Sequence, residues 1–235
     1  MEELRMHLDL RLERALERVE LVTGVGTRDA GRMCVMSLVA CLAGEEHGDS
    51  PSCASALIRA FAIPLNDNMP HAVRQRLKPF APRILGTQDG QDPARAELLR
   101  MALAEEILPR LGGRNAQPAR RFAGPLWRLW SLLGMRRLER EAEWMMDRAV
   151  ALADGADMAR AVAAAGAVGR LLARAARDAT DPREADRLWD MAIGLLDRMC
   201  DIGAQRMPAQ AVWASRLEHV FEARAARGLA DTARI

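Results

Sequence analysis

The residues best suited to chemistry lie close together, between positions 31 and 67. This stretch holds three of the four cysteines and one of the four histidines, with several carboxylates beside them. A histidine beside carboxylates has its charged form favoured, and a cysteine beside a histidine could act as a nucleophile. Two sulfurs, an imidazole and a carboxylate could also bind zinc in a tetrahedral set, and the ligands it would use are Cys41, His47 and Cys53.

The same residues also have a purely structural interpretation. Free cysteines commonly fill space in a core, and polar side chains between two helices can cap exposed backbone amides. The sequence contains neither the two-residue ligand spacing of zinc knuckles nor a G-x-S-x-G, H-E-x-x-H or P-loop motif. Chemistry and capping both stay open for this predicted polar site, whose members are Glu45, His47, Asp49, Cys53, Asn66 and Asp67.

The composition of the chain argues against two classes of protein. The chain has 235 residues, 34 basic against 32 acidic, and a hydrophobic content of 50%. These values argue against general disorder and against a chain that binds nucleic acid through its overall charge. With no signal peptide, no run of about 18 apolar residues and cysteines that suit a reducing compartment, we expect a soluble cytoplasmic protein without membrane partners.

Hydrophobic periodicity predicts an all-α fold, and no alternating β-branched run suggests a strand. The helix at 30–43 is apolar on every side, so it should be a central helix that other helices enclose. Ser50-Pro51 should start the next helix and Pro64 should stop it. The other helices predicted in the N-terminal half are 2–22, 70–77, 80–85 and a helix from Asp92-Pro93 to about 111.

The C-terminal half reads as antiparallel helices after a linker at 112–118. We therefore divide the chain into an N-terminal domain at 1–111 and a helical bundle at 118–230, which could also pack as one domain. Similar residues recur 43 positions apart, at Arg140-Glu141-Ala142 and Arg183-Glu184-Ala185, so a repeat-like arrangement is an alternative. The predicted C-terminal helices are 119–134, 136–153, 156–177, 182–202 and 208–227.

The region 30–90 resembles a family of bacterial and phage-associated helical proteins. The resemblance rests on a pattern that starts C-x-M, continues through A-G-E, D-x-P-x-C and N-D, and ends P-R-x-x-G-T. It implies a shared structural corner rather than a particular activity. Members of the family often have histidine where Ser50 stands, which weakens any metal set that would need that residue. The pattern falls on Cys34, Met36, Ala40, Ala43, Gly44, Glu45, Asp49, Pro51, Cys53, Asn66, Asp67, Pro79, Pro82, Arg83, Gly86 and Thr87.

Three functions follow as hypotheses. The first is a non-enzymatic protein-interaction or regulatory protein, with a homodimer through the first helix as one form. The second is a metal-binding protein or enzyme that uses the corner between Cys41 and Cys53, with zinc as the cofactor. The third is nucleic-acid binding through an arginine-rich region at 118–140, which contains Arg120, Arg121 and Arg128.

Overall fold

The computed structural model describes residues 10–114, 158–203 and 210–232. Most of these residues are helical, as the sequence predicts. The helices are α1 (Leu10–Glu17), α2 (Val35–Ala43), α3 (Ala56–Asn68), α4 (His71–Arg74), α5 (Phe80–Ile84), α6 (Asp92–Ala102), α7 (Leu108–Arg114), α8 (Met158–Arg177), α9 (Pro182–Asp201) and α10 (Gln210–Thr232). Short 3₁₀ turns occupy Arg28–Ala30 and Gln75–Leu77, and a π-helical turn at Leu103–Ile107 joins α6 to α7.

A small three-stranded sheet contradicts the expectation of no strands. Its strands are β1 (Glu20–Leu21), β2 (Gly26–Thr27) and β3 (Arg32–Met33), in the order β1-β3-β2. β3 pairs in parallel with β1 and antiparallel with β2. Each strand is only two residues long, too short to produce the alternating pattern by which strands are recognised in a sequence.

The sheet also ends the first helix earlier than predicted. α1 stops at Glu17, so the predicted helix at 2–22 is wrong beyond that residue, and residues 1–9 lie outside the described residues. The chain turns back sharply at Gly26, where φ is +75°. A β-carbon at Gly26 would lie 2.4 Å from the backbone oxygen of Arg32. Glycine is therefore required there both by the backbone angle and by the close approach of β3.

The prediction of an apolar central helix is confirmed for α2. Every residue from Val35 to Leu42 is buried. α2 begins five residues later than expected, because residues 32 and 33 are extended in β3 and Cys34 is the N-cap. Its main helical neighbours are α3, α5 and the C-terminal helix α10, while α1 packs mainly against α10. The C-terminal chain therefore supplies part of the cover of α2.

Both predicted ends of the next helix are wrong. α3 begins at Ala56 with Ser55 as its N-cap, and Ser50-Pro51 lies in an irregular turn instead. The helix then continues through Pro64 to Asn68. Pro64 cannot donate to the carbonyl of residue 60, so an interior proline normally destabilises a helix. Here tertiary packing against α8 holds the helix together on both sides of the proline.

The glycine- and alanine-rich helix α8 packs closely against α3. α3 and α8 form the most extensive helix pair among the described elements. A β-carbon at Gly169 would lie 2.6 Å from the oxygen of Phe61 and 2.9 Å from Cγ of Pro64. The backbones of the two helices meet at this point, and only glycine leaves room for that approach.

The remaining boundaries follow the prediction more closely. α6 begins at Asp92, although Gln91 rather than Asp92 is its N-cap. α9 begins as predicted, with the Asp181 carboxylate accepting from the backbone N–H of Arg183 at 3.0 Å. The first residues of the predicted linker are helical in α7, and the rest of it lies outside the described residues, as do the predicted helices at 119–134 and 136–153. The division into two domains stays a prediction.

Candidate functional site

Glu45 lies at the centre of the predicted polar site and acts as a backbone cap. It follows Gly44, which ends α2 in the left-handed conformation. Its carboxylate accepts from the backbone N–H of Ser52 at 2.7 Å, the Ser52 hydroxyl at 2.9 Å and the backbone N–H of Cys53 at 3.2 Å. Burial by itself would raise the pKa of Glu45, but the donors of Ser52 and Cys53 outweigh it and hold the pKa below its usual value. An ionised Glu45 thus fixes the turn that precedes α3.

Asn66 and Asp67 join the end of α3 to the sheet and to α2. The buried Asn66 amide accepts from the backbone N–H of Val35 at 3.2 Å and donates to the oxygen of Val22 at 2.8 Å. Asp67 accepts from the backbone N–H of Gly24 at 2.8 Å and from the Asn66 amide at 3.0 Å. Both side chains therefore satisfy backbone groups of segments distant in sequence.

His47 and Asp49 lie at the edge of this arrangement. The exposed His47 ring donates from Nε2 to the oxygen of Gly26 at 3.2 Å, so it is held against the sheet. Asp49 accepts from the hydroxyl of Ser50 at 3.3 Å. Asp49 also lines a cavity of about 10 Å³ with Cys34, Asn66 and four other residues. A cavity of that size holds about one water molecule, too little for an organic substrate.

The four cysteines are free thiols, and in each the pKa is raised. Burial and the neighbouring Glu45 charge raise the pKa of Cys53 to about 11. Burial raises the pKa of Cys41 in the same direction, against the opposing effect of the Arg28 and Arg216 guanidiniums. Burial raises the pKa of Cys200 to about 12. At neutral pH these thiols are protonated, which is the unreactive form for nucleophilic attack.

The predicted zinc ligands are not grouped in the described structure. Within residues 10–114, 158–203 and 210–232, no three histidine, cysteine, aspartate or glutamate side chains are arranged to hold a metal ion. His47 contacts the sheet, whereas Cys41 is buried beside two arginines, whose positive charge disfavours a bound cation. Zinc binding by Cys41, His47 and Cys53 remains a prediction.

Two arginines that the sequence did not single out complete the corner at the end of α2. Arg28 donates to the oxygen of Glu45 at 2.7 Å, and Arg216 donates to the oxygen of Leu42. The last carbonyls of a helix lack intrahelical partners and carry partial negative charge, so cations suit them. Arg216 lies in α10, more than 170 positions along the chain, and no local pattern identifies it as a cap for α2.

A glutamine closes the outer edge of β1. The side-chain amide of Gln75 donates to the oxygen of Leu21 and accepts from its N–H, each at 2.9 Å. The amide thus replaces the neighbouring strand that an open edge would otherwise recruit. Sequence reasoning missed Gln75 because nothing near it in the chain points to a strand 54 positions earlier.

Arg95 forms a second buried polar centre. Its fully buried guanidinium donates to the backbone oxygens of Thr87, Met199 and Ile202 at 2.9, 3.1 and 2.7 Å. It also pairs with the carboxylates of Asp89 at 2.7 Å and Asp92 at 3.2 Å. These contacts tie the loop at 86–91 to the end of α9. The family-like pattern ends at Thr87 and did not include Arg95.

A groove lies between α1 and α10. It encloses about 400 Å³, and we call it the α1–α10 groove. Three exposed arginines line it, two from α1 and one, Arg18, from the turn directly after α1, while Ala15 is buried and Leu10 is 68% exposed. Such a volume is within the usual range for a ligand or side-chain pocket. The residues that line it are Leu10, Arg11, Arg14, Ala15, Arg18 and Glu218.

The arginines predicted to contact nucleic acid, Arg120, Arg121 and Arg128, lie outside the described residues. None of the described helices is long and apolar enough to span a bilayer. Comparisons with protein-family models, with curated protein sequences and with solved structures gave no match. The resemblance of the region 30–90 to a bacterial and phage-associated family stays a prediction.

Proposed function

We propose that this chain is a non-enzymatic α-helical interaction or regulatory protein. The observation that carries the proposal is the use of the polar site, because the hydrogen bonds of Glu45, Asn66 and Asp67 go to backbone groups of the joint. A catalytic carboxylate must reach a substrate, whereas these side chains are directed inward at N–H and C=O groups. The raised pKa values of the four thiols also argue against a cysteine nucleophile.

The proposal includes a protein partner and a cytoplasmic location. Four free cysteines suit a reducing compartment. Within the described residues, a homodimer through the first helix would use the exposed face of α1, because Leu12, Ala15 and Leu16 are buried within the protein's own chain. Size-exclusion chromatography with light scattering distinguishes a monomer from a dimer.

Site-specific photo-crosslinking in the cells that naturally make the protein tests the interaction function. A photoreactive residue is placed in turn at Leu10, Met101 and Val212, the large apolar side chains that are exposed in the described chain. We expect a reproducible adduct of defined mass at one position and not at the others. Absence of adducts at all three positions would contradict the proposed function.

Elemental analysis tests the rival metal function. We expect less than about 0.1 zinc or iron per chain after purification without a chelator, and a Cys53→Ala variant that differs only in stability. Near-stoichiometric metal that disappears in the Cys53→Ala variant would support the metal-binding alternative and overturn the proposal.

A further inference from the structure

The α1–α10 groove carries an excess of positive charge. Three guanidiniums face it, against the single carboxylate of Glu218. Arg11 donates to Glu218 at 2.8 Å, and the guanidinium of Arg18 lies over the Phe221 ring at 4.0 Å. Arg14 is exposed and makes no ion pair or hydrogen bond within the part of the chain that the structure describes. Among the described residues, the groove therefore has one cation without an ion pair, between two cations that already have a partner.

The spacing of these arginines matches a helical partner. Positions 11, 14 and 18 are three and four residues apart, so the first two lie on one face of α1 at an interval of roughly 5–6 Å and Arg18 follows them just past the end of the helix. Three carboxylates at the same spacing on a second helix could therefore each contact one of the three arginines. Pairs of guanidinium and carboxylate can form two parallel hydrogen bonds, which fixes orientation as well as charge.

The apolar part of the groove favours a polypeptide over nucleic acid. Leu10 projects from the surface at one end with 68% of its area exposed, and an apolar side chain of a partner would cover it. Glu218 would repel a phosphate backbone, and Arg18 already covers one face of the Phe221 ring that a base could stack on. A volume of about 400 Å³ accommodates a few side chains of a docked helix.

We infer that the α1–α10 groove binds an acidic, amphipathic helical segment of a partner protein, with Arg14 as its principal charged contact and Leu10 as its apolar contact. This inference rests on the proposed function, for which it names the surface and the class of partner.

Fluorescence anisotropy with designed peptides tests the inference. The probe is a labelled helical peptide of roughly 15 residues with glutamates at i, i+3 and i+7 and leucines beside them, which matches the spacing of the three arginines. We expect it to bind the full chain at about micromolar Kd, and Arg14→Glu to weaken binding by about 10-fold or more because a like charge then faces the peptide. Arg187→Glu, the same charge change at an exposed position of α9 outside the groove, should leave Kd within about 2-fold.

A charge-swapped peptide separates a specific contact from general attraction. The same peptide with the central glutamate replaced by lysine should bind Arg14→Glu better than it binds the unmodified protein. Circular dichroism melts of both variants verify that they are folded.

Three outcomes would overturn the inference: no binding of the acidic peptide at about 100 μM, equal binding by Arg14→Glu, or tighter binding of an oligonucleotide of equal charge. The crosslinking experiment keeps this failure distinct from failure of the proposed function. Suppose that adducts form at Met101 or Val212 but the groove does not bind the peptide. Those results would refute peptide binding by the groove, and the proposed interaction function would still be supported.

Discussion

At the scale of single residues, Glu45 is the side chain whose removal should most directly loosen the polar site. Glu45→Gln keeps the size of the side chain but removes the charge that accepts from two backbone N–H groups and a hydroxyl. We expect a loss of about 1 kcal/mol in the free energy of unfolding at pH 7, measured by urea denaturation. Glu46→Gln is the matched control, since Glu46 is exposed and accepts no hydrogen bond within the described residues.

The same variant has a defined pH dependence. The pKa of Glu45 is lower in the folded protein than its ordinary value of 4.5, so the carboxylate stabilises the fold above about pH 4.5. That contribution is lost as the pH falls through the folded pKa. The difference in stability between the unmodified protein and Glu45→Gln should therefore shrink below pH 4.5. A difference that stays constant down to pH 3 would show that the charge of Glu45 is not involved.

Loss of the Arg95 side chain should destabilise the folded protein far more than loss of the Glu45 charge. Arg95→Met leaves the half-buried carboxylates of Asp89 and Asp92 without their cation and three backbone oxygens without a donor. Breaking a buried ion pair costs about 3–5 kcal/mol, so we expect a large fall in the melting temperature or loss of the folded protein. Arg100→Met is the control on the same helix, because its solvent-exposed pair with Glu97 should contribute little to stability.

At the scale of elements, the contact between α3 and α8 depends on Gly169. Gly169→Ala would place a β-carbon 2.6 Å from the oxygen of Phe61, so the helices must separate. We expect a destabilisation of about 1–3 kcal/mol by thermal or urea denaturation. Gly194→Ala in α9 meets nothing within 4 Å and should stabilise by about 0.5–1 kcal/mol. Equal effects of the two substitutions would show that helix propensity, and not the close approach, decides the outcome.

The elements also show how far the sequence predicts the structure. The apolar residues at 30–43 correctly predicted a central helix, and the helix predicted at 182–202 begins at the expected residue in α9. Pro64 misled the prediction, because the contact with α8 keeps α3 helical past a residue that normally ends a helix. The strands were missed because each has only two residues, too few to show an alternating pattern.

At the scale of the whole molecule, the N-terminal half depends on the C-terminal helices. α8 covers α3, α10 covers α1 and α2, and ion pairs such as Arg76–Asp190 and Arg83–Asp201 join the two halves. A fragment of residues 1–114 would expose those apolar faces to water. We expect it to lack a cooperative thermal transition, measured by circular dichroism. A cooperative transition would instead support the independent N-terminal domain that the sequence predicts.

The sequence by itself determined the helical class, the burial of the central helix that it predicted at 30–43, and a polar site between helices at Glu45, His47, Asp49, Cys53, Asn66 and Asp67. These are consequences of local periodicity and capping chemistry, which act over a few residues. Only the tertiary structure decided what the cluster does, because the partners that occupy it lie in segments far apart in the chain. The same holds for the α1–α10 groove, whose walls come from residues 10–18 and Glu218. No periodic signal links positions about 200 residues apart, so their meeting becomes visible only in the folded molecule.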